Sequence, residues 1–284
     1  MKPSVSAIIL TFNEENNIED CLKSIHGWAE EIFIVDSNST DKTLEIARKY
    51  TDKIYSHDFV NQSEQLNWTL DNLPINGQWI MRLDADERVT PELTNEFAEK
   101  LGSFKEDVSC LYMKRRVYFM GRWIRHGASY STWHLRIWKS GSAVCEKRSM
   151  DEHMQITKGG AAFLQNDIIE DNRKGLTWWI DKHNNYATRE AMDFLTNKYK
   201  LGYNIANAAD LPSNETERNR RLKRNFYYNL PMFLRPFLYF LYRYLIRLGF
   251  LDGREGLTFH FLQGFWYRFL VDAKIYEIGK IARK

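Results

Sequence analysis

Short apolar runs alternate with segments of helical periodicity through the first hundred residues. The runs 5–10, 32–35 and 78–83 contain few polar positions, which is typical of strands buried on both faces of a sheet. Apolar residues recur every three or four positions between them, and this alternation predicts a parallel sheet in an α/β domain. The expected strands are 5–10, 32–35, 53–55 and 78–83, and the expected helices are 16–25, 42–49, 64–73 and one that begins near Pro91.

The pattern changes after residue 109. Segments 111–117 and 133–138 have the composition of strands, 176–195 has the periodicity of a long helix, and 210–224 is polar and basic like a linker or an exposed helix. We therefore expect an α/β domain at residues 1–209 and a basic, aromatic helical region at residues 210–284.

Residues 230–251 form the most apolar part of the chain. Pro231, Arg235, Pro236, Arg243 and Arg247 interrupt this run, whereas a transmembrane helix needs about 20 apolar residues in succession. A helix that starts at Pro236 would place Arg243 and Arg247 one turn apart on one face, as in an amphipathic helix that lies on a membrane surface. The alternatives are a core helix whose arginines face solvent, and a dimer interface built from the exposed aromatic residues.

Charge is distributed unevenly, although the formal net charge of the 284 residues is only +3. Residues 1–100 hold 19 Asp and Glu against 9 Lys and Arg, whereas residues 215–284 hold 14 Lys and Arg against 6 Asp and Glu. This asymmetry is typical of a basic surface that meets phosphate, nucleic acid or a membrane. A nucleic-acid partner is disfavoured because the basic segments carry long aliphatic and aromatic runs. We therefore expect a membrane surface as a partner.

The cysteines indicate a reducing compartment. Cys21, Cys110 and Cys145 are an odd number without a CxxC pair, which excludes a disulfide framework and a cysteine-rich zinc site. The apolar run 5–10 is also too short for the core of a signal peptide. Together these features predict a cytoplasmic protein that lies peripherally on the inner face of the cell membrane.

Polar clusters follow three of the expected strands. They begin at Thr11, Asp36 and Asp84, and ligands of open parallel sheets bind beyond the carboxyl ends of such strands. No GxGxxG motif follows the first strand and no GxxxxGK[ST] motif occurs, so a dinucleotide-binding enzyme and a P-loop NTPase are both disfavoured.

Asp84 and Asp86 are candidate metal ligands. A DxD string is expected about once by chance in a chain of this composition, so its position after an apolar strand carries the interpretation. Crowded carboxylates repel each other, and their usual partner is a hard divalent cation such as Mn²⁺ or Mg²⁺. Such an ion would hold a diphosphate and neutralise its charge as it departs. The alternative is that Asp86 and Glu87 only precede the next helix.

The motifs SAIILTFNEE, IVDSNSTDKT and WIMRLDADE, which together span residues 6–87, resemble the opening of family-2 inverting glycosyltransferases of the GT-A fold. The later strings KHNNYA and GLTFHFLQGFWYRF resemble the branch that contains bacterial lipopolysaccharide-core glucosyltransferases. The resemblance implies a GT-A core with a helical, aromatic-rich C-terminal extension. It also implies transfer of one sugar from a UDP-sugar donor to the hydroxyl of a lipid-linked or lipopolysaccharide-type acceptor.

The resemblance further implies roles for individual residues. Asp36 would accept a hydrogen bond from the uracil imide, Asp84 would lie near the ribose and the metal, and Asp86 would ligate the metal. The other residues that it places at the nucleotide are Thr11, Asn13, Glu14, Gln65 and Asn67.

The resemblance places the catalytic base well downstream of the metal motif. Glu152 is the best candidate and Asp151 the alternative, where the related branch carries histidine at the position of Asp151. Inverting displacement favours one carboxylate opposite the leaving group. Arg125, Arg136 and Arg148 are further candidates, since arginine binds phosphate oxygens bidentately.

Two other functions remain open at this point. A sugar-nucleotide pyrophosphorylase would share the fold, but such enzymes open with a glycine-rich loop where this chain has TFNEE. A non-catalytic polysaccharide- or membrane-binding module would explain the aromatic C-terminal region but not the acidic clusters.

Overall fold

The chain divides into two compact units. A computed structural model describes residues 4–130, 132–146, 153–199 and 227–281, without the side chains of 197–199. Unit 1 comprises Met1–Gly121 and Ser131–Lys174, and unit 2 comprises Arg122–Tyr130 and Gly175–Lys284. The domain boundary predicted at residue 209 lies outside the described residues and stays a prediction.

Unit 1 is built on a mixed β-sheet. The strands of unit 1 are β1 (Val5–Thr11), β2 (Glu31–Asp36), β3 (Ile54–Ser56), β4 (Trp79–Asp84), β5 (Glu87–Val89), β6 (Val108–Phe119), β8 (Trp133–Lys139), β9 (Ala143–Cys145), β10 (Met154–Ile156), β11 (Gly160–Phe163) and β12 (Ile168–Asp171). The short strand β7 (Arg122–Trp123) belongs to unit 2. The sheet order is β3-β2-β1-β4-β8-β6-β12-β5, and β11 also pairs with β6. Strands β9 and β10 form a separate antiparallel pair.

The predicted parallel core is confirmed in its first four strands. Strand β1 pairs in parallel with β2 on one side and with β4 on the other, and β2 pairs in parallel with β3. Beyond β4 the sheet becomes mixed, because β8 runs antiparallel to both β4 and β6. A sheet with helices on both faces needs apolar side chains on both faces. In β1, Ala7 and Ile9 contribute to one buried cluster and Ile8 to another.

The helices of unit 1 agree with the periodicity, with bounds shifted by at most two residues. Thr90 caps the fourth helix, since its Oγ1 accepts a hydrogen bond from the Leu93 amide at 3.2 Å and Pro91 occupies the first helical position. The helices are α1 (Ile18–Ile25), α2 (Thr43–Ala47), α3 (Gln62–Asn72) and α4 (Pro91–Lys100).

Unit 2 is helical, as predicted for the C-terminal region. The helix Gly175–Tyr199 packs on the helix Tyr267–Ile281 through small and apolar side chains, among them Ala187 and Ala191 on the first and Val271 and Ile275 on the second. Its segments are α5 (Gly175–Tyr199), a 3₁₀ turn at Tyr227–Asn229, α6 (Leu234–Leu241), a π-helical segment at Tyr242–Ile246, a 3₁₀ turn at Gly249–Asp252, α7 (Gly253–Phe259), a second π-helical segment at His260–Trp266, and α8 (Tyr267–Ile281).

The helix predicted to start at Pro236 differs from the structure in where it begins and in the positions of its arginines. The helical segment begins at Leu234, so Pro236 lies in its first turn. Arg243 is 5 % exposed and Arg247 is exposed, so these arginines do not share a polar face. Among the described residues, no helix has the length and apolar character needed to cross a membrane.

Candidate active site at the carboxyl edge of the sheet

The polar residues after three strands meet at one edge of the sheet. In the register of the parallel strands, Thr11 lies opposite Asp36, and Leu10 lies opposite Asp84. The prediction that these strand ends share one edge is therefore confirmed. Carboxyl ends of parallel strands are where open α/β sheets bind ligands.

Asp36 is a buried acceptor held by three donors. Its carboxylate accepts hydrogen bonds from Thr11 Oγ1 at 2.9 Å, from the Ser39 amide at 2.8 Å and from Ser39 Oγ at 2.5 Å. With 2 % of its surface exposed, the Asp36 side chain is fixed in one orientation. Thr11 thus acts by orienting Asp36.

The loops that follow β1 and β2 are locked together. Asn13 adopts a left-handed conformation with φ of 52°, which asparagine tolerates better than most residues. Its amide donates to Ser39 Oγ at 2.8 Å, and its Oδ1 accepts from the Thr40 amide at 2.8 Å. The Glu14 amide in turn donates to Thr43 Oγ1 at 2.7 Å. These bonds fix the backbone around Asp36.

A cavity of about 400 Å³ opens beside these loops. Of the predicted nucleotide residues, Asp36 lines this cavity. The lining combines polar groups with the apolar surface of Leu44, Ile54 and Tyr55, and its remaining members are Asn38, Ser39, Arg48 and Ser56. A carboxylate next to an apolar wall suits a flat heterocycle that carries an N–H donor.

Glu14 is paired with a lysine from the end of unit 1. Lys174 Nζ lies 2.5 Å from Glu14 Oε1, and Asn17 Nδ2 donates to Glu14 Oε2 at 2.7 Å. Burial raises the pKa of Glu14 above its ordinary value, against the opposing effect of Lys174. Sequence reasoning missed Lys174, which lies 160 positions from Glu14.

Asp84 lies in a cluster of buried charges. Its Oδ2 lies 3.0 Å from Arg136 Nη2, and its Oδ1 lies 3.1 Å from Arg82 Nη2. Burial by itself would raise the pKa of Asp84, but Arg136, Arg82 and Arg115 outweigh it and hold that pKa well below its usual range. Both oxygens of Asp84 are therefore engaged by cations.

Glu87 completes this cluster. It is fully buried, it accepts a hydrogen bond from the Asp84 amide at 3.0 Å, and it is paired with Arg136. Burial raises the pKa of Glu87, against the effect of Arg136. Arg115 lies 3.4 Å from Glu87 and 2.9 Å from Glu170, so the positive and negative charges are matched. Arg136, considered in the sequence as a phosphate ligand, is thus bound to the acidic motif.

Asp86 has a different environment from Asp84. It is half-buried, and its Oδ2 accepts a hydrogen bond from Asn172 Nδ2 at 2.9 Å. Its backbone carbonyl accepts from the Asp171 amide at 2.9 Å. Within the described part of the chain, no side chain is hydrogen-bonded to Asp86 Oδ1. Asp171 at the end of β12 and Asn172 directly after it therefore orient Asp86 and leave Oδ1 without a hydrogen bond to a described side chain.

The described residues fit a divalent cation only with help from a substrate. Within the ranges that the structure describes, no group of three or more His, Cys, Asp or Glu side chains could hold a metal ion. Mg²⁺ is commonly bound through one or two carboxylates together with substrate phosphates. Asp86 meets that requirement through Oδ1, which is not hydrogen-bonded to a described side chain, whereas both oxygens of Asp84 are paired with arginines.

Gln65 and Asn67 have structural partners. Gln65 is 2 % exposed, and its Nε2 donates to Ser37 Oγ at 2.7 Å. Asn67 bonds the backbone of Cys145 twice, at 2.9 Å in each direction. Gln65 thus supports the loop after β2 from behind, and Asn67 fixes β9 to α3.

The two candidates for the catalytic base, Asp151 and Glu152, lie outside the described residues, as does Arg148. His153, the next residue along the chain, acts electrostatically on His134 of β8. Burial, Arg115, Arg136 and His153 together lower the pKa of His134 well below its ordinary value. Asp84 of the acidic cluster acts on His134 in the opposite direction.

Comparisons with known proteins give the family. The family model for glycosyl transferase family 2 matches residues 6–172, which is more than half of the chain. An uncharacterized glycosyltransferase of Rickettsia conorii is 31 % identical over 103 residues, which cover 36 % of each protein. The lipopolysaccharide core biosynthesis glycosyltransferase LpsC of Rhizobium meliloti is 32 % identical over 125 residues, which cover 42 % of this chain and 45 % of LpsC. The matched residues thus cover between a third and a half of the length of these relatives.

Solved structures show more distant similarity. Staphylococcus aureus TarS 1–349 aligns with 97 % of this chain and 92 % of its own, at 14 % identity and a TM-score of 0.47. Glucosyl-3-phosphoglycerate synthase from Mycobacterium tuberculosis, in complex with Mg²⁺ and UDP, aligns with 42 % of this chain and 44 % of its own, at 20 % identity and a TM-score of 0.32.

The matched region runs from β1 to the end of β12 and includes the acidic motif and the loops around Asp36. The predicted α/β core with a helical C-terminal region is confirmed. The chain belongs to glycosyl transferase family 2.

Proposed function

We propose that this glycosyltransferase moves one sugar from a UDP-sugar to an acceptor hydroxyl, with a divalent cation and with inversion at the anomeric carbon. The observation that carries this proposal is the contrast within the acidic motif. Asp84 is neutralised by Arg82 and Arg136, whereas Asp86 keeps one carboxylate oxygen free among the described residues. An oriented, half-free carboxylate at the sheet edge suits a cation shared with a diphosphate.

The donor nucleotide would bind in the cavity beside Asp36. The uracil imide would donate to the Asp36 carboxylate, and the ring would lie against Leu44 and Tyr55. Thr11 and Asn13 would act indirectly, because their hydrogen bonds hold Asp36 and the adjacent loop in place. Gln65 would act in the same way through Ser37.

Asp86 would be the protein ligand of Mn²⁺ or Mg²⁺. Asn172 would hold the carboxylate in the orientation that directs Oδ1 away from the protein. Asp84 would remain near the ribose, since its oxygens are engaged by arginines. When bound, the cation neutralises the charge that develops on the leaving diphosphate.

The transfer step requires a base for the acceptor hydroxyl. We assign this role to Glu152, with Asp151 as the alternative. The hydroxyl proton passes to the carboxylate as the acceptor oxygen bonds the anomeric carbon. The bond between that carbon and the diphosphate oxygen breaks on the opposite face, and its electron pair leaves with UDP.

The acceptor would be lipid-linked or of the lipopolysaccharide type. The name of LpsC, which matches 42 % of this chain, supports a role in lipopolysaccharide core biosynthesis. The basic, aromatic composition of the C-terminal region supports a position at the cytoplasmic face of a membrane. The three cysteines are buried thiols, which agrees with a reducing compartment.

Calorimetric titration of UDP tests the donor site. We expect UDP to bind with Mn²⁺ present, and Asp86→Ala to abolish the metal-dependent part of the affinity. Asp71→Ala is the matched control, because Asp71 is an exposed aspartate on α3. Equal binding of UDP by Asp86→Ala and the control, with and without Mn²⁺, would refute the metal site.

Single-turnover transfer tests the base. We expect Glu152→Gln to bind UDP normally and to lose at least about a hundredfold in transfer rate, as is typical for removal of a general base. Asp151→Asn serves as the paired variant. A Glu152→Gln enzyme that transfers at the normal rate, with Asp151→Asn inactive, would move the role to Asp151.

A further inference from the structure

We propose that unit 2 inserts an apolar surface beneath the headgroups of a lipid bilayer, and that apolar burial rather than charge attraction holds it there. We call this surface the apolar face. It consists of the exposed side chains of residues 231–251 together with Leu257, Phe261 and Phe269. The inference deepens the proposed function, on which it rests for taking a membrane as the partner.

Two of the three charged side chains in residues 231–251 are buried. This stretch, all of it described, contains three arginines and no lysine, aspartate or glutamate. Arg235 and Arg243 are 1 % and 5 % exposed, so Arg247 is the single exposed charge in the stretch. The positive charge that the composition places here is therefore largely absent from the surface.

Each buried arginine is satisfied inside unit 2. Arg235 Nε lies 2.9 Å and 3.0 Å from the two carboxylate oxygens of Asp272, and its guanidinium centre lies 4.9 Å from the ring of Tyr228. Arg243 donates to the Gly127 carbonyl at 2.8 Å, to Ser129 Oγ at 2.6 Å and to Gln263 Oε1 at 3.1 Å. Neither group is left to bind a lipid phosphate.

Large apolar side chains occupy the outside of the same stretch. Ile246 is 72 % exposed and Leu245 is 52 % exposed, which is unusual for such residues in a contiguous run. The other exposed apolar side chains of the stretch are Phe233, Leu234, Phe237, Leu238, Tyr242, Leu248, Phe250 and Leu251.

The helical segment from Gly253 to Ile281 extends this surface. Leu257, Phe261 and Phe269 are exposed and are spaced by multiples of four residues, so they share one side of the segment. The ring of Phe269 lies 5.2 Å from that of Phe233, and the ring of Phe261 lies 6.1 Å from that of Phe240. Residues of the two segments thus form one continuous apolar face.

Backbone strain at both ends of the first segment supports a functional role. Phe233 and Leu248 adopt left-handed conformations, with φ of 66° and 59°. Bulky residues rarely occupy this region, which glycine adopts without cost. Both side chains are more than a third exposed, so core packing does not account for the strain. Glycine would adopt these conformations without strain but would remove two side chains from the apolar face.

Charge complementarity favours a bilayer over a protein partner. Within 231–254, Asp252 is the sole carboxylate and it is 3 % exposed, while Arg247 and Arg254 are exposed. The stretch 231–246 has no exposed charge and is followed by two exposed cations, which matches acyl chains beneath phosphate headgroups. The stretch 234–246 is about 20 Å long at helical rise, shorter than the hydrocarbon core of about 30 Å, so it would lie in the membrane plane.

Vesicle flotation of the purified protein tests the proposal. Vesicles of neutral phosphatidylcholine are compared with vesicles that contain anionic phosphatidylglycerol, at low and at high NaCl. We expect binding to neutral vesicles, with less than about a twofold loss at high salt, since apolar burial is not screened. Binding restricted to anionic vesicles and abolished by salt would overturn the proposal.

Surface variants identify the face. We expect Leu245→Glu with Ile246→Glu to reduce vesicle binding at least about tenfold, because burial of one such side chain is worth about 1.5–3 kcal/mol. Met192→Glu is the matched control, since Met192 is a 50 % exposed apolar residue on α5. Circular dichroism establishes that the variants fold. Normal vesicle binding by the double variant would overturn the proposal.

Leu248→Gly separates a membrane role from a structural one. Glycine removes the strain at this position, so we expect an unchanged or higher melting temperature together with weaker vesicle binding. Light scattering tests whether a second copy of the chain covers the apolar face instead. A dimer that Ile246→Glu converts to a monomer, together with an absence of vesicle binding, would assign the apolar face to that second copy. Metal-dependent UDP binding, measured on the same samples, reports separately whether the proposed transferase function holds.

Discussion

Arg136 in unit 1 and Arg235 in unit 2 are both buried against carboxylates, with 5 % and 1 % of their surfaces exposed. Arg136 lies between Asp84 and Glu87 at the edge of the sheet, whereas Arg235 is paired with Asp272 between helical segments. In unit 1 the buried cations pair with two carboxylates of the acidic motif, Asp84 and Glu87, and none of these pairs includes Asp86. In unit 2 they remove positive charge from a surface that becomes apolar.

The comparison shows that a count of charged residues does not describe a surface. An arginine that is buried with a carboxylate contributes no net charge outside, and its long side chain fills space inside. The same residue type therefore shapes a polar site in one unit and an apolar face in the other.

Removal of Arg136 should have the largest effect on stability. Arg136→Met leaves Asp84 and Glu87 without their shared partner in a buried environment, and breaking such a pair costs about 3–5 kcal/mol. We expect urea denaturation to show a loss of that order, together with weaker metal-dependent UDP binding. Arg136→Lys, which keeps one charge, should recover part of both. Unchanged stability in Arg136→Met would mean that the cluster does not depend on this arginine.

Removal of Arg235 should affect stability without affecting the donor site. Arg235→Met leaves Asp272 buried and unpaired, so we expect a loss of about 3 kcal/mol in the free energy of unfolding. Arg189→Met, an exposed arginine on α5, is the matched control and should change stability by less than about 0.5 kcal/mol. Folded Arg235→Met that binds UDP more weakly would contradict the separation of roles between the units.

Acid should destabilise unit 2 through His260. Burial and Arg243 lower the pKa of His260 to about 4, below its ordinary value of 6.5. The unfolded chain therefore binds more protons between these values, and the free energy of unfolding falls as the pH drops through this window. At pH 5 the loss is about 2 kcal/mol.

Chemical denaturation at pH 7.5 and pH 5.0 measures this effect. In His260→Phe we expect the difference between the two pH values to shrink by about 2 kcal/mol. The phenylalanine ring changes the free energy of unfolding by the same amount at both pH values, so this change cancels when the two values are subtracted. An unchanged difference would show that His260 is not the group that titrates. Asp84 should not contribute, since its pKa lies well below this window.

The smallest effect is expected at Asn172. Asn172→Ala removes one hydrogen bond to Asp86, worth about 1 kcal/mol, so metal-dependent UDP affinity should fall roughly fivefold. Asn166→Ala is the control, because Asn166 bonds Glu96 rather than the acidic motif. A full loss of binding in Asn172→Ala would indicate that the asparagine itself touches the donor.

The sequence predicted the sheet edge well but not the long-range contacts that hold its residues in place. The apolar runs predicted the bounds of β1, β2 and β4 to within a few residues. The shared edge of Thr11, Asp36 and Asp84 followed from parallel pairing. Local periodicity is enough for such inferences, because a strand buried on both faces has few other arrangements. Nothing in the sequence linked Lys174 to Glu14 or Asn172 to Asp86, since these contacts depend on the path of the chain through β12.

The C-terminal region gives the clearest contrast between sequence and tertiary structure. By itself the sequence determined that the region is helical, aromatic and rich in arginine, because composition and periodicity are local properties. The tertiary structure decided which way the arginines point. Asp272 lies 37 residues beyond Arg235, and the Gly127 carbonyl lies 116 residues before Arg243. Such partners are brought together only by folding. Without them, the free energy cost of burying the arginines would exceed the gain from packing.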